Sequence, residues 1–345
     1  MSNYLQKKLF KDIKLVDPFF NSLKEDYPGF EEWFKKKQSE EAYILEQNKQ
    51  LEGFLYLKYE NGPITDVNPV INCSKALKIG TLKINPHGTR LGERFIKKSL
   101  DYAVKGKVEM CYVTIFAKHD ALVTLFKKYG FKEQALKNGN ELVLVKDIKK
   151  IQNNILLDYP LINSKYKQKF LLAIYPKYHS VMFPDSILKN ENIDILEDVT
   201  VTNSIHKTYV TQMSVNRANP GDLLVIYRTG TTGMPAEYTA VATSICVVEE
   251  VKSQNEFANF EEFFDYATTY SIFDRDDLQY WYNKGKCYAM KMTYNAALTK
   301  RLIRRKLADE IGLNRNERWS FMKLTDDQFN RILEEGGVSE SIIVN

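Results

Sequence analysis

The sequence predicts two domains of different class, an α/β half followed by an α+β half, and three observations carry that expectation. The chain has 345 residues, more than one compact core uses comfortably. Helix and strand patterns alternate up to about residue 147 and lose that regularity further on. The charge also changes sign: residues 1–150 hold 27 Lys and Arg against 19 Asp and Glu, and the remainder holds 22 against 25. The boundary is expected between Lys149 and Gln168, where no hydrophobic period runs, giving domains at 1–148 and 169–345 with a linker at 149–168. Hydrophobic residues at 44% and charged residues at 27% fit a soluble globular protein, and no apolar run is long enough to cross a bilayer. The first residues, MSNYLQKKLFKDIK, lack an apolar signal core, so a cytoplasmic location is expected. Four scattered cysteines and four scattered histidines give no metal-ligand spacing, and buried free thiols are expected.

In the first half, Phe30, Trp33 and Phe34 are spaced as one face of a short helix. EEAYILEQ and LEGFLYLKYE read as strands joined by Asn48-Lys49-Gln50. A β-branched strand from Ile79 to Ile84 meets Asn85-Pro86, passes a polar loop and enters an amphipathic helix at Leu91. Such a loop offers backbone N–H groups to an anion at a helix N-terminus. VEMCYVTIF is the next strand, and a helix ends at Tyr129-Gly130-Phe131. Two further strands flank Asn138-Gly139, a strong hairpin signal.

This order, over residues 1 to 147, resembles the GNAT-type N-acetyltransferases, which build a mixed central sheet flanked by helices. The resemblance implies acetyl-CoA as cofactor and an amine as acceptor. It implies that Leu82, Lys83 and Ile84 hold the pantetheine arm. The family's pyrophosphate pattern Gln/Arg-x-x-Gly-x-Gly/Ala falls on His87 to Gly92, and here only Gly92 agrees. Gly88, Thr89, Arg90, Leu91, Gly92 and Glu93 are then the expected cradle, with Arg90 adding charge. FAKHDALVTLFKKYGF resembles the family's Asn-x-x-Ala-x-x-Leu-Tyr-x-x-x-Gly-Phe, with His119 at the asparagine and Phe126 at the tyrosine, both on the expected cofactor side. Phenylalanine has no proton to give the leaving thiolate, so Tyr129 is the expected acid. Glu109, Glu93 and His119 are the candidates for general base. Phe19, Phe20, Tyr27, Phe30, Trp33 and Phe34 lie where the family forms one wall of its acceptor groove.

In the second half, KFLLAIYPKYHSVMFPDS reads as a strand running into a Pro-bounded loop, followed by strands at LLVIYR, YTAVATSICVVEEV and GKCYAMKMTY. Helices are expected at 257–267, 274–282 and 297–311, with a last one capped by Thr325 and stopped at Gly336. Asn219-Pro220-Gly221-Asp222 before a strand, with Ala242 to Val251, resembles the PUA-like superfamily that includes ASCH and EVE domains. That implies a small β-barrel with helices and a cleft for RNA or modified bases. Tyr178, His179, Tyr227, Arg228 and Thr229 are the candidates for that cleft, under a loop from Gly230 to Glu237. Arg301, Arg304 and Arg305 on the expected helix form either a phosphate-tracking surface or an ordinary solvated face.

The preferred expectation is an acetyl-CoA-dependent N-acetyltransferase whose PUA-like half recognises RNA or positions the acceptor. The alternative is a non-catalytic, nucleic-acid-binding or regulatory protein with a degenerate transferase half.

Overall fold

The computed structural model describes residues 5–47, 50–85, 91–183 and 204–344. The chain divides into two compact units, Met1–Lys150 and Ile151–Asn345. Gly88, Thr89 and Arg90 of the expected cradle, and His87 before them, lie outside the described residues.

The first unit begins with β1 (Gln6–Leu9), α1 (Asn21–Asp26) and α2 (Phe30–Lys36). Helix α2 carries Glu31 and Glu32 in its first turn and Lys35 and Lys36 in its last, matching the macrodipole, and buries Phe30 and Phe34. Strands β2 (Glu41–Gln47), β3 (Gln50–Asn61) and β4 (Lys75–Ile84) follow, then α3 (Leu91–Lys105), β5 (Met110–Phe116) and α4 (Asp120–Lys128). The unit closes with the hairpin of β6 (Lys132–Lys137) and β7 (Glu141–Asp147). Asn138 at φ 50° and Gly139 at φ 79° make the left-handed pair that the Asn-Gly signal predicts. The seven strands lie in the order β1-β2-β3-β4-β5-β7-β6. All neighbours run antiparallel except β4 and β5. One core packs Phe10, Phe20, Phe34 and Phe54 edge to face. The other packs Tyr112, Val143 and Val145 against Ile64, Val67 and Ile71 of the long β3–β4 connection.

The second unit starts earlier than the sequence suggests. Residues 151–168, expected as a linker, carry α5 (Ile155–Asp158) and β8 (Ile162–Asn163), and β8 pairs with Ile343 and Val344 near the other end of the chain. The Asp158 carboxylate accepts from the amides of Gln152 and Asn154 and so ties down a stretch that has no hydrophobic period. Strand β9 (Lys169–Ile174) leads into α6 (Pro176–Met182), where a loop was expected. Pro176 occupies the first helical turn, where its missing N–H costs nothing. Then come β10 (His206–Thr211), β11 (Leu223–Arg228), α7 (Ala236–Thr239), β12 (Val241–Ser253), α8 (Phe260–Thr268) and α9 (Arg275–Asn283). The remaining elements are β13 (Tyr288–Ile303), α10 (Arg304–Asp309), β14 (Phe321–Leu324), α11 (Asp326–Glu335) and β15 (Ile343–Val344). Six strands form a mixed sheet, β10-β13-β12-β11-β9-β14, in which only β11 and β9 run parallel. Among the described residues no ladder joins β10 to β14.

The helix expected over 297–311 is a correction. Ala297 to Ile303 continue β13, and only Arg304–Asp309 are helical. Leu298 and Leu302 are four residues apart, a spacing that puts both on one side of a helix or of a strand. Pairing with β12 decides for the strand, with Ala242 opposite Leu302 and Val241 opposite Ile303.

Candidate functional site

Strands β4 and β5 pair only from Ala76 with Met110 to Ile79 with Val113. Beyond that point β4 runs on to Ile84 and β5 to Phe116, and among the described residues no ladder joins them there. The cause lies on the other edge of β4. Its register with β3 shifts between Tyr56 and Leu57, so Gly80 is an extra, bulged residue. A Cβ on Gly80 would sit 2.6 Å from a Tyr56 ring carbon. That ring is 3% exposed and its hydroxyl donates to Glu40, so it has little room to yield.

The separated strands enclose a cleft of about 1000 Å³, also lined by Tyr27 to Phe30, Trp33 and the first turn of α4. From Thr81 to Ile84, β4 stays bonded to β3 on one edge, which turns alternate amide and carbonyl groups toward the cleft. Leu82, Lys83 and Ile84 line it. Burial holds the Lys83 ammonium below its ordinary range; it donates to Ser22 Oγ and lies 5.1 Å over the Phe19 ring. Of the aromatic wall, Tyr27, Phe30 and Trp33 reach the cleft, whereas Phe19, Phe20 and Phe34 are core. Tyr27 stacks on Phe116 at 5.1 Å, and burial together with Glu141 pushes its phenol well above the usual range.

His119 lines the cleft at the N-cap of α4, with Nε2 3.0 Å from Asp26 Oδ2. Burial acts to raise the Asp26 carboxyl. The Lys118 hydrogen bond and the charges of Lys118 and His119 outweigh it and leave Asp26 below the usual carboxylate range. Tyr56, Glu60, Lys78 and Asp26 are among the cleft or rim residues that went unread in the sequence. The usable signal was Gly80 inside a strand pattern, which marks a bulge rather than a strand interior.

Several expected site residues sit elsewhere. Tyr129 is fully buried at the C-cap of α4, and its hydroxyl lies 3.0 Å from Glu93 Oε1 as a donor into the core. Glu93, 7% exposed, also accepts from Lys128 at 2.8 Å. Glu109 is at the opposite end of the β4–β5 pair, where it accepts from the Ser74 amide and hydroxyl at 2.8 and 2.6 Å. Phe126 is buried against Phe131 at 4.9 Å. Leu91 is buried in the first turn of α3, and Gly92 lets that turn approach Leu125 of α4, where a Cβ would come within 2.5 Å. None of these six residues lines the cleft.

In the second unit, Tyr178, His179 and Tyr227 are buried, not displayed on an open cleft. Tyr178 packs on Phe273 at 4.6 Å, and Tyr227 on Trp319 at 5.4 Å. His179 Nε2 lies 2.8 Å from Thr243 Oγ1; burial, then the charges of Arg228 and Arg301, hold the imidazole down to about 3. Arg228 Nη1 donates to the carbonyls of Thr229 and Thr239, both at 3.3 Å. The expected cationic surface is largely matched by acids. Arg304 meets Glu237 at 3.4 Å and Arg305 meets Asp309 at 3.5 Å, while Arg315 reaches Glu237 at 2.6 Å and Asp309 at 2.5 Å.

No protein-family model and no curated protein matches the chain. Solved structures of two kinds are similar to it, each over about half its length. An ASCH protein from Zymomonas mobilis shares 9% identity, covering 48% of this chain and 94% of that one, at a TM-score of 0.34. The N-acetyltransferase PseH of Campylobacter jejuni, solved with acetyl coenzyme A, shares 16% over 42% of this chain and 99% of its own, at a TM-score of 0.29. The PaiA N-acetyltransferase of Thermoplasma acidophilum, solved with coenzyme A, shares 17% over 43% and 99%, at 0.31. The neighbours are thus ASCH and N-acetyltransferase folds, and at these values the chemistry rests on the chain's own residues. No described helix is long and apolar enough to cross a membrane.

Proposed function

We propose that the first unit is an acetyl-CoA-dependent N-acetyltransferase. The observation that carries this reading is the bulge at Gly80, which opens β4 from β5 and turns unpaired strand amides into a cleft. A linear thioester arm fits such a slot because it can take strand-like hydrogen bonds from β4 in place of the missing neighbour. Leu82, Lys83 and Ile84 would hold that arm, and Leu125 with Val113 and Ile115 would exclude water beside it. Bound acetyl-CoA supplies an activated acetyl group: the amine nitrogen bonds to the acetyl carbon, the carbon–sulfur bond breaks, and the proton nitrogen loses is balanced by the one sulfur gains.

The chain's own part is to orient and to accept a proton. Amides of β4 aimed into a low-dielectric slot stabilise developing negative charge. His119, fixed by Asp26 at Nε2, is the cleft group proposed to take the amine's proton at Nδ1. Tyr129, Glu93 and Glu109 have no part in this scheme, because each is committed away from the cleft.

Release of free thiol from acetyl-CoA with a panel of amines tests the reading. Turnover that falls roughly a hundredfold in kcat in His119→Ala is expected. Failure to bind acetyl-CoA, or to release thiol with any amine, would overturn it.

A further inference from the structure

Resting on the transferase reading, we infer that the acceptor amine carries an anionic group, a phosphate or a carboxylate, seated on Lys78. Lys78 projects from β4 two residues before the Gly80 bulge, so its Cα lies roughly 7 Å along the strand from where the slot opens. It lines the cleft half-buried. Its ammonium lies 5.4 Å over the Tyr112 ring and, among the described residues, has no hydrogen bond or ion pair with a carboxylate.

The surrounding charges make that isolation informative. The two acids whose charge acts on Lys78, Glu60 and Asp66, are each paired with another cation. Glu60 takes Lys58 at 3.2 Å and the Tyr112 hydroxyl, and Asp66 takes Lys137 at 2.5 Å. Glu40 takes Lys37 at 2.8 Å and the Tyr56 hydroxyl. Among the charges that act on one another here, Lys58, Lys78 and Lys137 therefore exceed Glu60 and Asp66 by one positive charge. That charge is the one left without a carboxylate.

A cationic acceptor would be poorly served here. Two of the aromatic faces at the cleft already carry an ammonium, with Lys37 Nζ 5.7 Å from the Trp33 ring and 4.9 Å from the Tyr56 ring. Burial, and the nearby charges of Lys137 and Lys58, hold the Lys78 ammonium below its ordinary range, against the pull of Glu60 and Asp66. An incoming anion relieves this repulsion and supplies the missing partner.

Matched acceptors separate the possibilities: phosphoethanolamine against ethanolamine, and β-alanine against its amide. One anionic member should exceed its neutral partner roughly tenfold or more in kcat/KM, and the pair that shows the preference tells phosphate from carboxylate. Lys78→Gln should raise KM for that member about tenfold and collapse the preference, while Lys78→Arg restores it and neither changes the affinity for acetyl-CoA. A binding arm needs no turnover: inorganic phosphate or acetate, titrated into CoA-saturated protein, should bind the wild type and bind Lys78→Gln roughly tenfold more weakly. Neutral members equal to or better than anionic ones, or no anion binding by the CoA-saturated protein, would overturn the inference while leaving the transferase reading in place. Failure to bind CoA itself would overturn both.

Discussion

At the scale of single residues, one missing Cβ decides whether the slot exists. Gly80→Val would drive a branched side chain into the Tyr56 ring, which is held by its own packing and by Glu40. The expected outcome is loss of acetyl-CoA affinity by roughly tenfold or more, measured by calorimetry, together with destabilisation of about 1–3 kcal/mol. Tyr129 makes the opposite case. Its hydroxyl bonds Glu93 inside the core, so Tyr129→Phe should cost about 1 kcal/mol in denaturant unfolding and leave kcat unchanged. A large drop in kcat at unchanged stability would return Tyr129 to the chemistry. Sequence reasoning had no means of seeing this burial. The Tyr129-Gly130-Phe131 ending was legible, but which way a C-cap side chain turns depends on where Glu93 of the neighbouring helix lies.

At the scale of elements, the strands were legible wherever turn chemistry and alternation agreed, as in the β6–β7 hairpin at Asn138-Gly139. They failed where one apolar spacing serves two periods. Leu298 and Leu302 suit a helix face as well as a strand face, and only pairing with β12, distant in sequence, selects the strand. The same correction removes most of the basic helix on which the nucleic-acid surface rested, and Glu237 and Asp309 neutralise much of what remains. Convergence of elements also makes a pH prediction. His179 of α6 bonds Thr243 of β12 beside Arg228 of β11 and Arg301 of β13, and its folded-state value of about 3 lies below the ordinary 6.5. Between those values the unfolded chain takes a proton that the folded chain refuses. Stability from this group is therefore complete above pH 6.5 and falls as the pH drops toward 3, by up to about 1.4 kcal/mol per unit. Urea midpoints read from Trp281 and Trp319 in a Trp33→Phe background should show this slope between pH 6.5 and 4, and His179→Gln should flatten it. A slope unchanged by the substitution would contradict the account.

At the scale of the whole molecule, the division into two units and the basic first half were both readable from composition, because bulk charge and the loss of helix–strand alternation are summed properties. Residues 151–168 were not, because backbone pairing of β8 with β15 and capping by Asp158 leave no hydrophobic signature. The proposed cofactor site draws every named residue from the first unit, so residues 1–150 alone are expected to bind acetyl-CoA within about threefold of the full chain. The most direct test of the central claim is amide hydrogen exchange with and without acetyl-CoA. Slowed exchange at amides between Gly80 and Ile84 that do not bond to β3 is the expected result. Unchanged exchange along that stretch at saturating acetyl-CoA would contradict the claim that β4 forms the thioester slot.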